Sequence, residues 1–353
     1  MRQSQFKNNS PSTEIDWKTI EKYLRSHNIV SNSATLEVEQ FSTGYSNLTY
    51  QIKIGEWKAV LRRPPFGPLP PKAHDMKREF EILSKLRSVF PLIPKPYLYC
   101  EDTSIMDRHF YIMEKIDGIV IDNAMPDEFK DIPESGHLIS ESVIDTLTKL
   151  HQIDYKEVGL EMLGYPEGYL RRQVHGWIKR YNNSKTEKIT GIEELEKWLI
   201  ENIPASSVPT IVHCDYKLNN MMFAKDNPGK IIGLFDWEMS TIGDPLTDVA
   251  VMLAYWEQPG DPYTGITSVS REAEYGFATR REMLEMYARK SGRDISNIDY
   301  YLAFAFYKVA SILQQIYYRW KIGEAKDERF GKLGEGVVNM MELSKLARNK
   351  QVL

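Results

Sequence analysis

The sequence predicts an α+β fold of two lobes, a small antiparallel β-sheet lobe followed by a larger, mostly helical one. Three observations predict it. Apolar residues alternate at period two over residues 35–41 and 48–54, while from residue 115 onward the spacing is predominantly helical. The two strand-like runs after that point, 210–212 and 230–235, are short and apolar. At 353 residues with 42% hydrophobic and 27% charged content, the chain can bury a substantial core in two domains.

The elements follow in order. Thr13-Glu14-Ile15-Asp16 reads as a capping box opening a helix that carries Trp17, Ile20 and Leu24 on one face. Residues 48–54 lead through Gly55-Glu56, a two-residue hairpin signal, into a strand at 57–62. Prolines at 64, 65, 68, 70 and 71 close that region, and residues 75–86 place Met76, Phe80, Leu83 and Leu86 at helical spacing. Two further strands fall at 97–100 and 110–113, and Gly118 marks a hinge at 114–118 by relieving backbone constraint. The expected domains are therefore 1–115 and 116–353. Helices are expected at 134–150, 167–181 and 192–202, with several more after Asp244. The aromatic run from Phe304 to Trp320 lies on a long helix as core, and Gly331 to Gly336 forms a loop between helices.

Bulk properties exclude several functions. A formal charge of −4 gives no electrostatic case for nucleic acid. No apolar run of membrane-spanning length occurs, the first residues lack a signal-peptide core, and Cys100 and Cys214 build no disulfide framework. These features predict a cytoplasmic protein without a membrane partner.

The chemistry is carried by two motifs. His213-Cys214-Asp215-Tyr216-Lys217-Leu218-Asn219-Asn220 contains His-x-Asp with an Asn five residues after the Asp. That is the spacing of a kinase catalytic loop, whose Asp accepts the substrate hydroxyl's proton and whose Asn holds magnesium. One short strand later, Asp236 ends the apolar run Ile231 to Phe235, where a lone buried carboxylate is costly unless a cation compensates. Phe235-Asp236-Trp237 thus stands where protein kinases have Asp-Phe-Gly. His213 and Asp215 are the catalytic candidates, Asn220 and Asp236 the metal ligands. Asp248 either satisfies its own helix dipole or braces the catalytic loop. The remaining histidines, His137, His151 and His175, are assigned to core or surface.

Upstream, Ser42, Gly44, Ser46 and Asn47 link two strands as a phosphate-covering loop would. Ala59-Val60-Leu61-Arg62 lies where kinases have Val-Ala-Ile-Lys, so Arg62 is expected to grip the α/β-phosphates and pair with Glu79; Arg63 and Lys58 are rival candidates. No Gly-x-x-x-x-Gly-Lys P-loop occurs.

On these residues, with Ser46 to Tyr50, Val60 to Pro65, Arg78-Glu79-Phe80, Phe110 to Glu114 and Gly243-Asp244-Pro245, the chain resembles the aminoglycoside phosphotransferase and choline kinase family. It is most similar there to the kinase-like domain fused to some acyl-CoA dehydrogenases. The resemblance implies a protein-kinase-like fold, ATP in the cleft between lobes, adenine contacts near Glu114 and Ile116, and Mg²⁺ on Asn220 and Asp236. It also implies a small-molecule hydroxyl as acceptor, with a hydroxyacyl-CoA-type metabolite suggested by the dehydrogenase-linked branch. Cys214 departs from the Gly usual at its position, and Arg62 from Lys. The alternative is a nucleotide-binding pseudokinase or regulatory module that does no chemistry.

Overall fold

The computed structural model describes residues 15–30, 33–41, 47–67, 74–266 and 268–353. They fall into two compact units: the described residues up to Ser84 with Pro94–Lys115, and Lys85–Ile93 with Ile116–Leu353. No helix among the described residues is long and apolar enough to cross a membrane.

In the first unit, α1 (Trp17–Ser26) is capped by Asp16, whose carboxylate accepts from the Lys18 and Thr19 amides at 3.1 and 3.2 Å. The described cap is thus Asp16; Thr13 and Glu14 of the expected capping box lie outside the described residues. Strands β1 (Leu36–Gln40), β2 (Leu48–Ile54) and β3 (Trp57–Arg63) precede α2 (Met76–Leu86), β4 (Pro96–Cys100) and β5 (Phe110–Glu114). The five strands form one antiparallel sheet in the order β1-β2-β3-β5-β4. The predicted hairpin pairs Leu48 with Arg63 through Ile54 with Trp57. Alternation in β2 sends Tyr50, Ile52 and Ile54 inward, onto a core shared with Ile20, Leu24, Ala59, Leu61, Phe110 and Ile112. As an inner strand, β3 buries the three consecutive apolar residues Ala59, Val60 and Leu61 at its centre, while Lys58 near its start stays exposed.

The second unit begins with β6 (Ile119–Val120), α3 (Asp127–Lys130), α4 (Ser135–His151), α5 (Tyr169–Ser184) and α6 (Ile192–Glu201). Strands β7 (Thr210–Val212), β8 (Met221–Ala224), β9 (Asn227–Leu234) and β10 (Thr241–Gly243) follow, then helices α7 (Pro245–Tyr255), α8 (Arg280–Ser291), α9 (Ile298–Lys321) and α10 (Leu333–Arg348). The strands build a three-stranded sheet, β6-β8-β9, and a two-stranded one, β7-β10. Sequence reasoning expected only two strands here. It missed β6, β8 and β10, which are too short to show a period.

Three glycines also correct the sequence reading. Gly118 has no left-handed backbone; a Cβ there would collide with the Phe223 carbonyl of β8, so close approach and not backbone freedom explains it. Gly334 and Gly336 lie within α10 and not in a loop; Gly336 lets the Thr264 backbone pass against the helix. Helix α9 packs on α5, α7 and α10 and buries Phe304, Phe306 and Tyr307 as expected, whereas Tyr317, Tyr318 and Trp320 of the same run are only half-buried, because the last turns of the helix leave the core.

Candidate active site

The loop between β7 and β8 is suspended from its surroundings by side chains. Asp248, fully buried in the first turn of α7, accepts from the His213 amide at 2.6 Å and the Cys214 amide at 2.8 Å. Of the two readings of Asp248, bracing the loop is therefore the one its contacts support. Tyr216, also fully buried, ties the loop to α4 by donating its hydroxyl to the Val143 carbonyl at 2.7 Å. Cys214 adopts φ 67°, a left-handed conformation that non-glycine residues avoid.

His213 connects this loop to the end of β9. Its Nε2 is 2.9 Å from the Phe235 carbonyl, which can only accept, while its Nδ1 accepts from the Asp215 amide at 3.3 Å. These partners assign the proton to Nε2. The ring is fully buried and packs edge-on to Trp237 at 4.8 Å. Its geometry is that of a positioning group.

Asp215, Asn220 and Asp236 are brought together by this scaffold. Asn220 Nδ2 donates to the Asp215 carboxylate at 2.9 Å and to its carbonyl at 2.8 Å. The Asn220 carbonyl accepts from the Phe235 amide at 2.9 Å, which sets Asn220 one residue from Asp236 across the β8–β9 pair. Asp236 itself sits at φ 66°. Lys217 closes the group: its Nζ lies 3.1 Å from the second Asp215 oxygen and 5.2 Å from the Tyr255 ring centroid. Burial pulls the Lys217 ammonium down, but Tyr255, Asp215 and then Asp236 more than restore it, so it stays protonated. The Cys214 thiol is pushed up to about 12 by burial and then by Asp248, which makes it inert.

The donor set fits magnesium. With Nδ2 turned to Asp215, Asn220 Oδ1 faces away from it and accepts no hydrogen bond among the described residues; it and the Asp236 carboxylate are hard oxygen donors. Mg²⁺ takes one or two such protein ligands and completes its octahedron with phosphate and water. No cluster of three or more His, Cys, Asp or Glu side chains suited to a metal occurs among the described residues.

On the first unit, Arg62 Nε lies 3.2 Å from Glu79 Oε2, with Glu79 almost wholly buried. Arg63 is engaged elsewhere: its guanidinium pairs with Asp107 at 2.8 Å, donates to the Pro64 carbonyl and lies 4.1 Å over the Phe66 ring. Lys58 is exposed. The geometry thus separates the three candidates, leaving Arg62 in the helix-paired position. Asn47 is buried against His74, with Oδ1 and Nδ1 2.8 Å apart. Glu114 accepts from the Lys95 amide at 3.0 Å, and Ile116 packs beside Gly233. Ser42, Gly44 and Ser46 lie outside the described residues.

Sequence reasoning missed His151 as part of this frame. Its Nδ1 meets the Tyr287 hydroxyl at 2.9 Å and its Nε2 faces Asp248 at 3.4 Å. Burial holds the His151 imidazole below its ordinary 6.5. Burial would raise Asp248, but the His151 contact and the His213 amide outweigh it and keep the carboxylate below 3.8. Both folded-state values are depressed, so both groups contribute stability that is lost on acidification: His151 as pH falls below 6.5, Asp248 below 3.8. Thermal melts should show Tm dropping as pH falls below about 6.5, and His151→Gln should flatten that part of the profile. An unchanged slope in the variant would remove His151 from the account.

An aspartate held beside an asparagine amide by one loop, on a two-unit α+β chain, fits the class of kinase-like phosphotransferases. The chain belongs to the phosphotransferase enzyme family, whose pattern matches residues 37–286. It is 35% identical over 326 residues to acyl-CoA dehydrogenase family member 11 of Rattus norvegicus, and 32% identical over 331 residues to that of Homo sapiens. Each match covers 90% of this chain but only 41% of the relative, so the chain spans less than half of these proteins. Among solved structures, one from Ralstonia eutropha assigned to the aminoglycoside phosphotransferases superposes with a TM-score of 0.82 at 29% identity, covering 96% of this chain and 99% of that one. Choline kinase from Cryptosporidium parvum gives 0.64 at 15% identity, covering 96% of this chain and 98% of that one, and shares the fold.

Proposed function

We propose that this chain is an ATP- and magnesium-dependent kinase that phosphorylates a hydroxyl group of a small molecule. The observation that carries the reading is the hydrogen-bonded sequence Asp215–Asn220–Phe235, which joins the candidate base to the residue beside Asp236. Asp215 has both oxygens engaged, yet an ionised carboxylate keeps further lone pairs to orient an alcohol and take its proton. The acceptor oxygen then bonds to the γ-phosphorus, the bond to the β,γ-bridging oxygen breaks, and ADP leaves. Asn220 and Asp236 would hold Mg²⁺, which when bound supplies charge neutralisation on the transferred phosphoryl. Arg62 and Glu79 are the pair we assign to the nucleotide's α/β-phosphates, with Asn47, Glu114 and Ile116 as further nucleotide contacts.

The acceptor class we favour is a hydroxylated acyl thioester of coenzyme A. The support is that the relatives over 90% of this chain are named for acyl-CoA dehydrogenation. Two buried free thiols, Cys100 and Cys214, support a reducing, cytoplasmic setting.

Calorimetry on Asp236→Ala tests the metal assignment. Magnesium-dependent ATP affinity is expected to fall by roughly tenfold or more, since even outer-shell partners of metal ligands carry 10–100-fold effects. Retained affinity would contradict the assignment of Asp236.

A further inference from the structure

We infer that Lys308, on α9, is a positioning residue for the candidate base Asp215, an inference that rests on the kinase reading. Lys308 is 94 residues from Cys214 in sequence, is 7% exposed, and donates its ammonium to the Cys214 carbonyl at 2.8 Å. That carbonyl belongs to the peptide whose amide is Asp215 N–H.

Three facts single out this contact. First, the left-handed turn at Cys214 takes the loop out of any helix or strand ladder, so its backbone groups need side-chain partners. The His213 and Cys214 amides have Asp248, the His213 carbonyl has the Ser240 hydroxyl at 3.3 Å, and the Asp215 amide has His213 Nδ1. Lys308 supplies the donor for the remaining carbonyl, that of Cys214.

Second, Lys308 has no carboxylate within ion-pair distance among the described residues; the Trp177 ring, 5.6 Å away, is its other polar contact. A buried ammonium is costly without a counter-charge, and a neutral donor would satisfy one carbonyl. Third, the site gathers three carboxylates, Asp215, Asp236 and Asp248, and Lys217 is the cation that faces Asp215 and Asp236. Lys308 adds a second positive charge beneath the loop, with its donor and its charge both aimed at the peptide that sets the Asp215 backbone.

The test uses the full chain with Lys308→Met, which keeps the aliphatic stem and removes donor and charge, and Lys308→Arg, which keeps both. Amide hydrogen exchange is read without ligand. In Lys308→Met, the amides of Cys214 and Asp215 should exchange about tenfold faster or more, while those of residues 302–305 on α9 keep wild-type protection. Hydrolysis of Mg·ATP, with water as acceptor, should lose about tenfold in kcat with KM for ATP within about twofold. Lys308→Arg should recover both. Wild-type exchange at 214 and 215 in a folded Lys308→Met variant overturns the inference. So does equal loss in both variants, including failure of both to fold, because Lys308 would then be a packing residue. Exchange that behaves as expected in a protein with no ATP turnover at all would sink the kinase reading and leave the anchoring intact.

Discussion

Asp215→Asn is expected to lower kcat for phosphoryl transfer by roughly 10²–10⁴ while the fold survives. The substitution is nearly isosteric, so Asn220, 2.9 Å away, keeps a partner, and the loop remains held by Asp248 and Tyr216. What disappears is the charge that takes the acceptor's proton and pairs with Lys217 at 3.1 Å. The expected signature is therefore a fall in kcat with melting temperature and magnesium-ATP affinity close to wild type. Steady-state turnover with calorimetry on the same preparation checks it. Turnover equal to wild type would show that proton transfer runs through another group.

Asp248→Ala is expected to give a large loss of stability, about 2–6 kcal/mol, because each of two buried amides left without an acceptor costs about 1–3 kcal/mol. The carboxylate is fully buried and serves the His213 amide, the Cys214 amide and His151 together. Alanine leaves those two backbone donors without an acceptor in a place water does not reach. Denaturant titration should show the midpoint falling with little change in slope. A loss under about 1 kcal/mol would mean that the loop finds other partners, and the bracing role would have to be abandoned.

Much of the fold was legible because its elements are periodic. The hairpin 48–63 announces itself by alternation and a Gly55 turn, and the helix carrying Glu79 by its apolar face. The closeness of the candidate pair Asp215 and Asn220 was legible for a different reason: one loop holds them at a fixed spacing, so linear sequence records their geometry. What supports them was not legible. His151 meets Asp248 from 97 residues away and Lys308 meets Cys214 from 94, each from a helix whose pattern registers only burial. A lone histidine or lysine on an apolar helix face is the trace such a contact leaves. Lys217 lay inside the motif but was passed over, since its role depends on a rotamer that returns it to Asp215. Gly118 shows the same limit, because its close approach to Phe223 is a tertiary fact that sequence expresses only as a missing side chain.

The most direct test follows phosphate itself. Wild type and Asp215→Asn would be incubated with Mg·ATP and a panel of hydroxylated acyl-CoA thioesters, choline, sugars and aminoglycosides, and the products weighed by mass spectrometry. The account predicts that wild type adds a single phosphate to a hydroxyl-bearing acceptor, releases ADP in equal amount, and loses this activity in the variant. Phosphorylation that proceeds equally in both proteins, or no ADP from any acceptor, would contradict it.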